Sequence, residues 1–210
     1  VKGKVDNLDH HTLLYTDDWS TNFAQVFKKA DGKSKVADPA SLYICAPSKT
    51  DPSVAPEGYE NLFVLVPAAA DPSIGRGGID RAGDPAFEAE ADRIIEQIAE
   101  WCDIPDLAER IVVRRTMGPA NFVEELNAWS GTALGMAHTL RQSAFFRPKN
   151  QSKKVKGLYY AGHHSIPGIG LPMCLIGAEL VYKLLIDDKS SGPTEQEISP
   201  IAEGGWKGLN

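Results

Sequence analysis

Apolar residues recur along the chain at two spacings, and their alternation lays out a series of short strands and helices. Residues 10–16 (HHTLLYT) have the β-branched and aromatic content of a strand, and Asp17 and Asp18 follow as caps for a short helix with Trp19, Phe23, Val26 and Phe27 on one face. A polar loop is predicted at 31–38, then strands at 41–46 (SLYICA) and 61–66 (NLFVLV). The three prolines and one glycine of 47–58 predict an irregular connection between them rather than a tight hairpin. The clearest helix starts at Asp84, with Pro85 in the first helical position and Phe87, Ala91, Ile94, Ile95, Ile98, Trp101 and Cys102 as its apolar stripe. Residues 111–116 (IVVRRT) predict another strand, and Gly118 and Pro119 open a helix whose Phe122, Leu126 and Trp129 share a face. Residues 131–147 show no period and are expected to line a pocket or cross between layers. The segment 158–178 then predicts a buried strand that runs through a glycine-rich bend into a helix. That helix, 173–186, is apolar nearly all round and is therefore expected to lie buried between layers. The order predicts an α/β chain, with a mixed sheet and helices packed on it and no internal repeat. After Asp187 the Ser, Gly, Pro and Glu content predicts a mobile tail over 188–210.

At 210 residues and 42% apolar content the chain can bury one substantial core or two small ones. A net charge of −6 gives no general attraction for nucleic acid or anionic lipid, so the local run Arg147, Lys149, Lys153, Lys154 and Lys156 is expected to be a solvated loop. Cys45, Cys102 and Cys174 are odd in number, far apart and set among apolar neighbours. They predict small buried hydrophobes in a reducing compartment rather than a disulfide framework. No run approaches the roughly 20 apolar residues of a spanning helix, and no charged-then-apolar leader is visible. Because Val1 is not an initiator methionine and leads quickly into strand-like sequence, the chain is expected to be part of a longer protein.

The chemistry concentrates in the bend. Gly162, Gly168 and Gly170 remove Cβ atoms where a backbone turns tightly or presses on a ligand, and the helix beginning near Pro172 aims its free N–H groups there. This predicts a cofactor-binding turn, with His163 placed to touch the ligand. A dinucleotide site also needs a GxGxxG turn after a first strand, and none occurs in that context, so half of a site is missing. The glycine-rich 71–83 (DPSIGRGGIDRAG) lacks a following GKS or GKT and predicts a flexible loop instead of a phosphate cradle. His10 and His11, like His163 and His164, are strand neighbours expected on opposite faces, with no carboxylate or cysteine at a ligand-like offset. No metal site is therefore predicted. Ser165 has no glycine two residues to either side, which leaves a nucleophile elbow unsupported.

The segments 8–19 (LDHHTLLYTDDW), 38–68, 122–150 (FVEELNAWSGTALGMAHTLRQSAFFRPKN) and 157–179 (GLYYAGHHSIPGIGLPMCLIGAE) resemble, in order, the bacterial-type phytoene desaturases, the carotenoid FAD-dependent dehydrogenases. The resemblance covers most of residues 8–186, and its most specific stretches are the TDPS, ELNAW and QSAFFRP motifs. It implies an α+β substrate-side domain at 1–155 and a C-terminal segment of the FAD-binding domain at 156–187, with the N-terminal Rossmann part of that domain absent. It further implies that Gly162 and His163 approach the ribityl and pyrophosphate region of FAD, and that Gly168, Ile169, Gly170, Leu171, Pro172 and Met173 lie beside its isoalloxazine ring. Many members of the wider flavoprotein group carry an acidic residue directly after the glycine that ends this strand, where this chain has His163. The activity implied is desaturation of phytoene or a related carotenoid by hydride transfer to FAD, in a cytoplasmic protein peripheral to the membrane. The fragment is expected to be inactive alone, with an open sheet edge suited to a homodimer. His138 is a candidate proton acceptor, although a structural histidine is the commoner case, and no catalytic base is assigned. Alternatives are an isomerase, saturase or oxygenase of carotenoids or retinoids on the same scaffold, and a non-redox module for apolar ligands.

Overall fold

The computed structural model describes residues 1–27, 34–137 and 139–194. Its chain divides into two compact units, Val1–Ala133 and Leu134–Asn210. The boundary drawn from sequence at 155/156 falls inside the second.

The first unit holds a sheet of three strands, β1 (His11–Leu14), β2 (Leu42–Cys45) and β3 (Phe63–Leu65), in that spatial order, with both pairs antiparallel. The expected mixed sheet is thereby corrected. Between β2 and β3 the chain makes two proline-led turns of 3-10 helix, Pro47–Lys49 and Pro52–Val54, and returns beside the strand it left; a parallel partner would need a longer crossover. Helix α1 (Trp19–Phe27) follows β1, and the Asp18 carboxylate accepts the Thr21 N–H at 2.9 Å to cap it. Its buried positions are Asn22 and Val26, while Trp19, Phe23 and Phe27 point to solvent.

The core forms where Leu42 and Ile44 of β2 meet Ile94, Ile98 and Cys102 on α2 (Pro85–Trp101), closed by Val5, Leu8, Ile104 and Leu107. Leu107 opens the short α3 (Leu107–Arg110). Ile94, Ile98 and Cys102 recur every four residues, which keeps them on one side of the helix. Gln97, buried on α2, spends its whole amide on Ala40: Oε1 accepts the Ala40 N–H at 3.0 Å and Nε2 donates to the Ala40 carbonyl at 2.7 Å. This sets the helix against the entry to β2.

The glycine-rich loop at 71–83 is tied down rather than flexible. Glu88 Oε1 accepts from Gly78 N–H at 3.1 Å, Gly83 N–H at 3.2 Å and the Thr116 hydroxyl at 2.6 Å, while Oε2 takes the Arg114 guanidinium at 2.5 Å. Asn121, on α4 (Pro119–Leu126), accepts from Gly77 N–H at 2.8 Å and Gly118 N–H at 2.9 Å. A Cβ on Gly77 would stand 2.4 Å from the Thr116 carbonyl carbon, so only glycine permits the approach. Residues 111–116 do not form the strand expected of them. Among the described residues the segment bridges only at Arg115 with Ile79, and its Val112 and Val113 side chains are exposed.

Burial acts to raise the Glu88 carboxyl, but the Thr116 hydroxyl, the Arg114 guanidinium and the Gly78 N–H together outweigh it and hold the group below its ordinary value. A carboxyl lowered in the folded state stabilises fully above its unfolded value, and that stability is lost as pH falls through the folded one. Denaturation of the Glu88→Gln variant should show a loss of about 3 kcal/mol at neutral pH, since Arg114 keeps only Asp92 as partner. The difference from the parent chain should shrink below the ordinary carboxylate range; a constant difference across that range would contradict this account.

Candidate cofactor turn and apolar sheet face

In the second unit, Asn150 organises the turn. Its buried Nδ2 donates to the carbonyls of Ile166 at 2.9 Å and Tyr160 at 3.1 Å and to Ser165 Oγ at 3.3 Å. Ser165 is buried too, and its hydroxyl reaches the Tyr160 carbonyl at 3.3 Å and the Gly162 carbonyl at 3.2 Å, a structural use of the side chain. The buried strand expected at the start of this segment does not form. One bridge, Gln151 to Tyr159, is its only pairing among the described residues, and Leu158 and Tyr160 are exposed. A backbone with a single short neighbour cannot extend a ladder, so the Asn150 amide supplies the bonds a second strand would have made.

The three glycines of the turn have different surroundings. Gly168, at φ +135°, is buried, and a Cβ there would lie 3.0 Å from Nε of Arg147. Gly162, at φ +114°, has nothing within 4 Å of that position, and Gly170, at φ +111°, has only Pro172 Cδ at 4.0 Å. Gly162 and Gly170 thus leave backbone open to a ligand, whereas Gly168 is filled from within. Arg147 itself is 3% exposed, which corrects its assignment to a solvated basic loop. Helix α5 (Leu171–Ile186) begins at Gly170 with no side chain capping its first turn. Leu171 and Pro172 are exposed, while Ile169 and Met173 are half-buried. The burial expected for α5 is not found. Leu171 and Leu175 are 84% and 74% exposed, and the helix buries Gly177 and Lys183, the latter donating to Ser190 Oγ at 2.9 Å.

The rings of His163 and His164 lie tilted at 38° with centroids 4.1 Å apart. Burial first, then the neighbouring His164 and Arg147, push the His163 imidazole below its ordinary value. His138 lies outside the described residues.

The first unit presents a second candidate surface. Opposite the core, the sheet shows His11, Leu13, Tyr43, Cys45, Phe63 and Leu65, with Leu13 and Phe63 each 55% exposed. The period-two alternation carries on to Tyr15, where a row of rings begins: Tyr15 to Trp19 at 4.9 Å, Trp19 to Phe23 at 6.0 Å and Phe23 to Phe27 at 6.0 Å. Leu13, Phe63, Leu65 and the row of rings offer a long hydrocarbon an apolar surface, which His11, Tyr43 and Cys45 interrupt.

No family model matches the chain. It is 45% identical over 188 residues to the carotenoid 3,4-desaturase of Haloarcula japonica, covering 90% of this chain and 35% of that protein. It is 34% identical over 183 residues to the lycopene-forming phytoene desaturase of a Paracoccus species, covering 87% of this chain and 34% of the relative. A 4,4'-diapophytoene desaturase of Staphylococcus aureus is 30% identical over 188 residues, with 90% and 36% covered. Over the matched length the chain is homologous to carotenoid and phytoene desaturases. The chain spans about a third of the length of these desaturases.

The sequence pattern alone assigns no structural role to Arg147 or Asn150. Nothing local in the QSAFFRPKN stretch sets these two residues apart from their polar neighbours. Proton NMR of the chain should show His163 titrating below the ordinary imidazole range, and His164→Gln should move it part-way back up. A His163 that titrates normally in the parent chain would contradict the placement of its ring.

Proposed function

We propose that the chain is the C-terminal part of a flavin-dependent carotenoid desaturase, with the 162–173 turn facing FAD and the outward sheet face holding the polyene. The observation that carries this reading is the pair of open glycines, Gly162 and Gly170, at the uncapped start of α5, in a chain homologous to desaturases. The residues fit the cofactor. Gly162 and Gly170 leave room for a flat or phosphate-bearing group, the amides of α5 add partial positive charge, and Arg147 lies packed behind Gly168. His163, held toward its neutral form by burial, offers a polar contact at the turn. FAD, when bound, accepts the hydride that no side chain can take. Leu13, Phe63, Leu65 and the Tyr15 to Phe27 row position an apolar chain and exclude water from it.

A lipid-soluble substrate goes with a location peripheral to the membrane; among the described residues no helix is long and apolar enough to cross one. The short open edges of β1 and β3 go with self-association of the whole protein.

A longer protein containing this chain should retain flavin and convert phytoene or a related carotenoid to products of longer conjugation, read as a shift of absorption to longer wavelength. The 210-residue chain alone should lose flavin on desalting. Leu13→Asp in the longer protein should lower conversion by about tenfold or more with flavin content unchanged, because the polyene cannot solvate a carboxylate. Stoichiometric flavin held by the short chain would overturn the half-site, and a flavin-loaded longer protein that leaves every carotenoid unchanged would overturn the activity.

A further inference from the structure

At one end of the outward sheet face, His10, His11 and Cys45 each place a ligand atom so that all three lie within 4.8 Å of one another. The expectation that His10 and His11 point to opposite faces fails because β1 begins at His11 and His10 sits in the bend before it, where strand alternation does not govern direction. The cysteine is supplied by tertiary structure, not by sequence spacing. Cys45 is the register partner of His11, and because the His10 carbonyl accepts the Ala46 N–H at 2.8 Å, His11 and Cys45 form the closer, non-hydrogen-bonded kind of cross-strand pair.

We propose that His10, His11 and Cys45 form a binding site for a borderline transition-metal cation of the Zn²⁺ type. Two imidazoles and one thiolate are a donor set that favours such an ion over Mg²⁺ or Ca²⁺, which take oxygen ligands. Each ring is already oriented by a hydroxyl: His10 Nδ1 pairs with Thr50 Oγ1, and His11 Nδ1 with Tyr43 Oη at 2.7 Å. Among the described residues neither ring's Nε2 carries a hydrogen bond, which leaves one nitrogen of each for the ion. Hydroxyl partners on the far nitrogen are the kind of support that metal-binding histidines use.

Metal–ligand bonds of about 2.0–2.3 Å in a tetrahedron set ligand atoms roughly 3.4–3.7 Å apart. Closing from 4.8 Å therefore takes about 1 Å of side-chain rotation, available to the half-buried His10 and Cys45 and the exposed His11. On binding, the thiol proton leaves to solvent, one S–Zn and two N–Zn bonds form, and water fills the fourth position. The ion would clasp β1 to β2 at the end of the sheet where the Tyr43 phenol also lies.

The test titrates the 210-residue chain with Co²⁺ and then displaces it with Zn²⁺. A thiolate-to-cobalt charge-transfer band that rises to one equivalent and collapses on adding Zn²⁺ is expected, together with a melting temperature that climbs with Zn²⁺ concentration. Cys45→Ser should abolish the band, and His10→Gln and His11→Gln should each weaken Co²⁺ binding by about tenfold or more. His10 lies outside the strand, so its variant decides the matter if Cys45→Ser fails to fold. Absence of the band in the parent chain, or zinc uptake unchanged in the His10 and His11 variants, would overturn the site. Uptake abolished instead by His163→Gln would assign the zinc to the second unit and overturn it equally.

Discussion

The pleat of β2 commits each of its side chains to one of two surfaces, and both surfaces are in use. Leu42 and Ile44 face α2 and make the core, while Tyr43 and Cys45 face outward. A shift of one residue in the pairing with β1 would exchange these sets, exposing the core residues and burying the phenol and thiol. The bidentate grip of Gln97 on Ala40 stands immediately before the strand and opposes such a shift. Core, outward hydrocarbon face and the His10–His11–Cys45 cluster thus rest on one register.

Away from this small sheet, side-chain amides and carboxylates do what ladders do elsewhere. Glu88 and Asn121 satisfy the N–H groups of the glycine loop, and Asn150 satisfies the carbonyls of the 160–166 turn. Each is buried, so each desolvated polar group is repaid by two or more bonds, and each holds a loop in one conformation. Such hubs are local, which suits a chain with little regular structure between its longer helices.

Elements with a local signal were legible in the sequence. The Asp-Pro start of α2, its four-residue apolar recurrence, the Gly-Pro start of α4 and the proline-rich link after β2 all formed as their own residues dictate. The resemblance carried by 122–150 and 157–179 agreed with the relatives later found. What could not be read depended on partners distant in sequence. Residues 111–116 and 158–162 have strand composition, yet a strand exists only where another backbone runs beside it. The basic run around Arg147 looked uniformly solvated because nothing local distinguishes the arginine that packs behind Gly168 from the lysines that do not. Cys45 looked remote from the histidines because 34 residues of chain separate it from His11, a distance that antiparallel pairing reduces to one cross-strand step.

Helix α5 is partly inside-out: its lysine is buried while Leu171, Leu175 and Leu184 face water. The lysine's bonds to Ser190 hold the chain just beyond the helix, and Gly177 sits close to the Ile166 carbonyl, so the fully buried positions of the helix are a lysine and a glycine. Leu171 and Leu175 contribute little to that seating. Selection on the fold of this unit and selection on what its helix meets therefore act on separate positions, and the outward leucines are free to change with a partner surface while the unit itself stays the same.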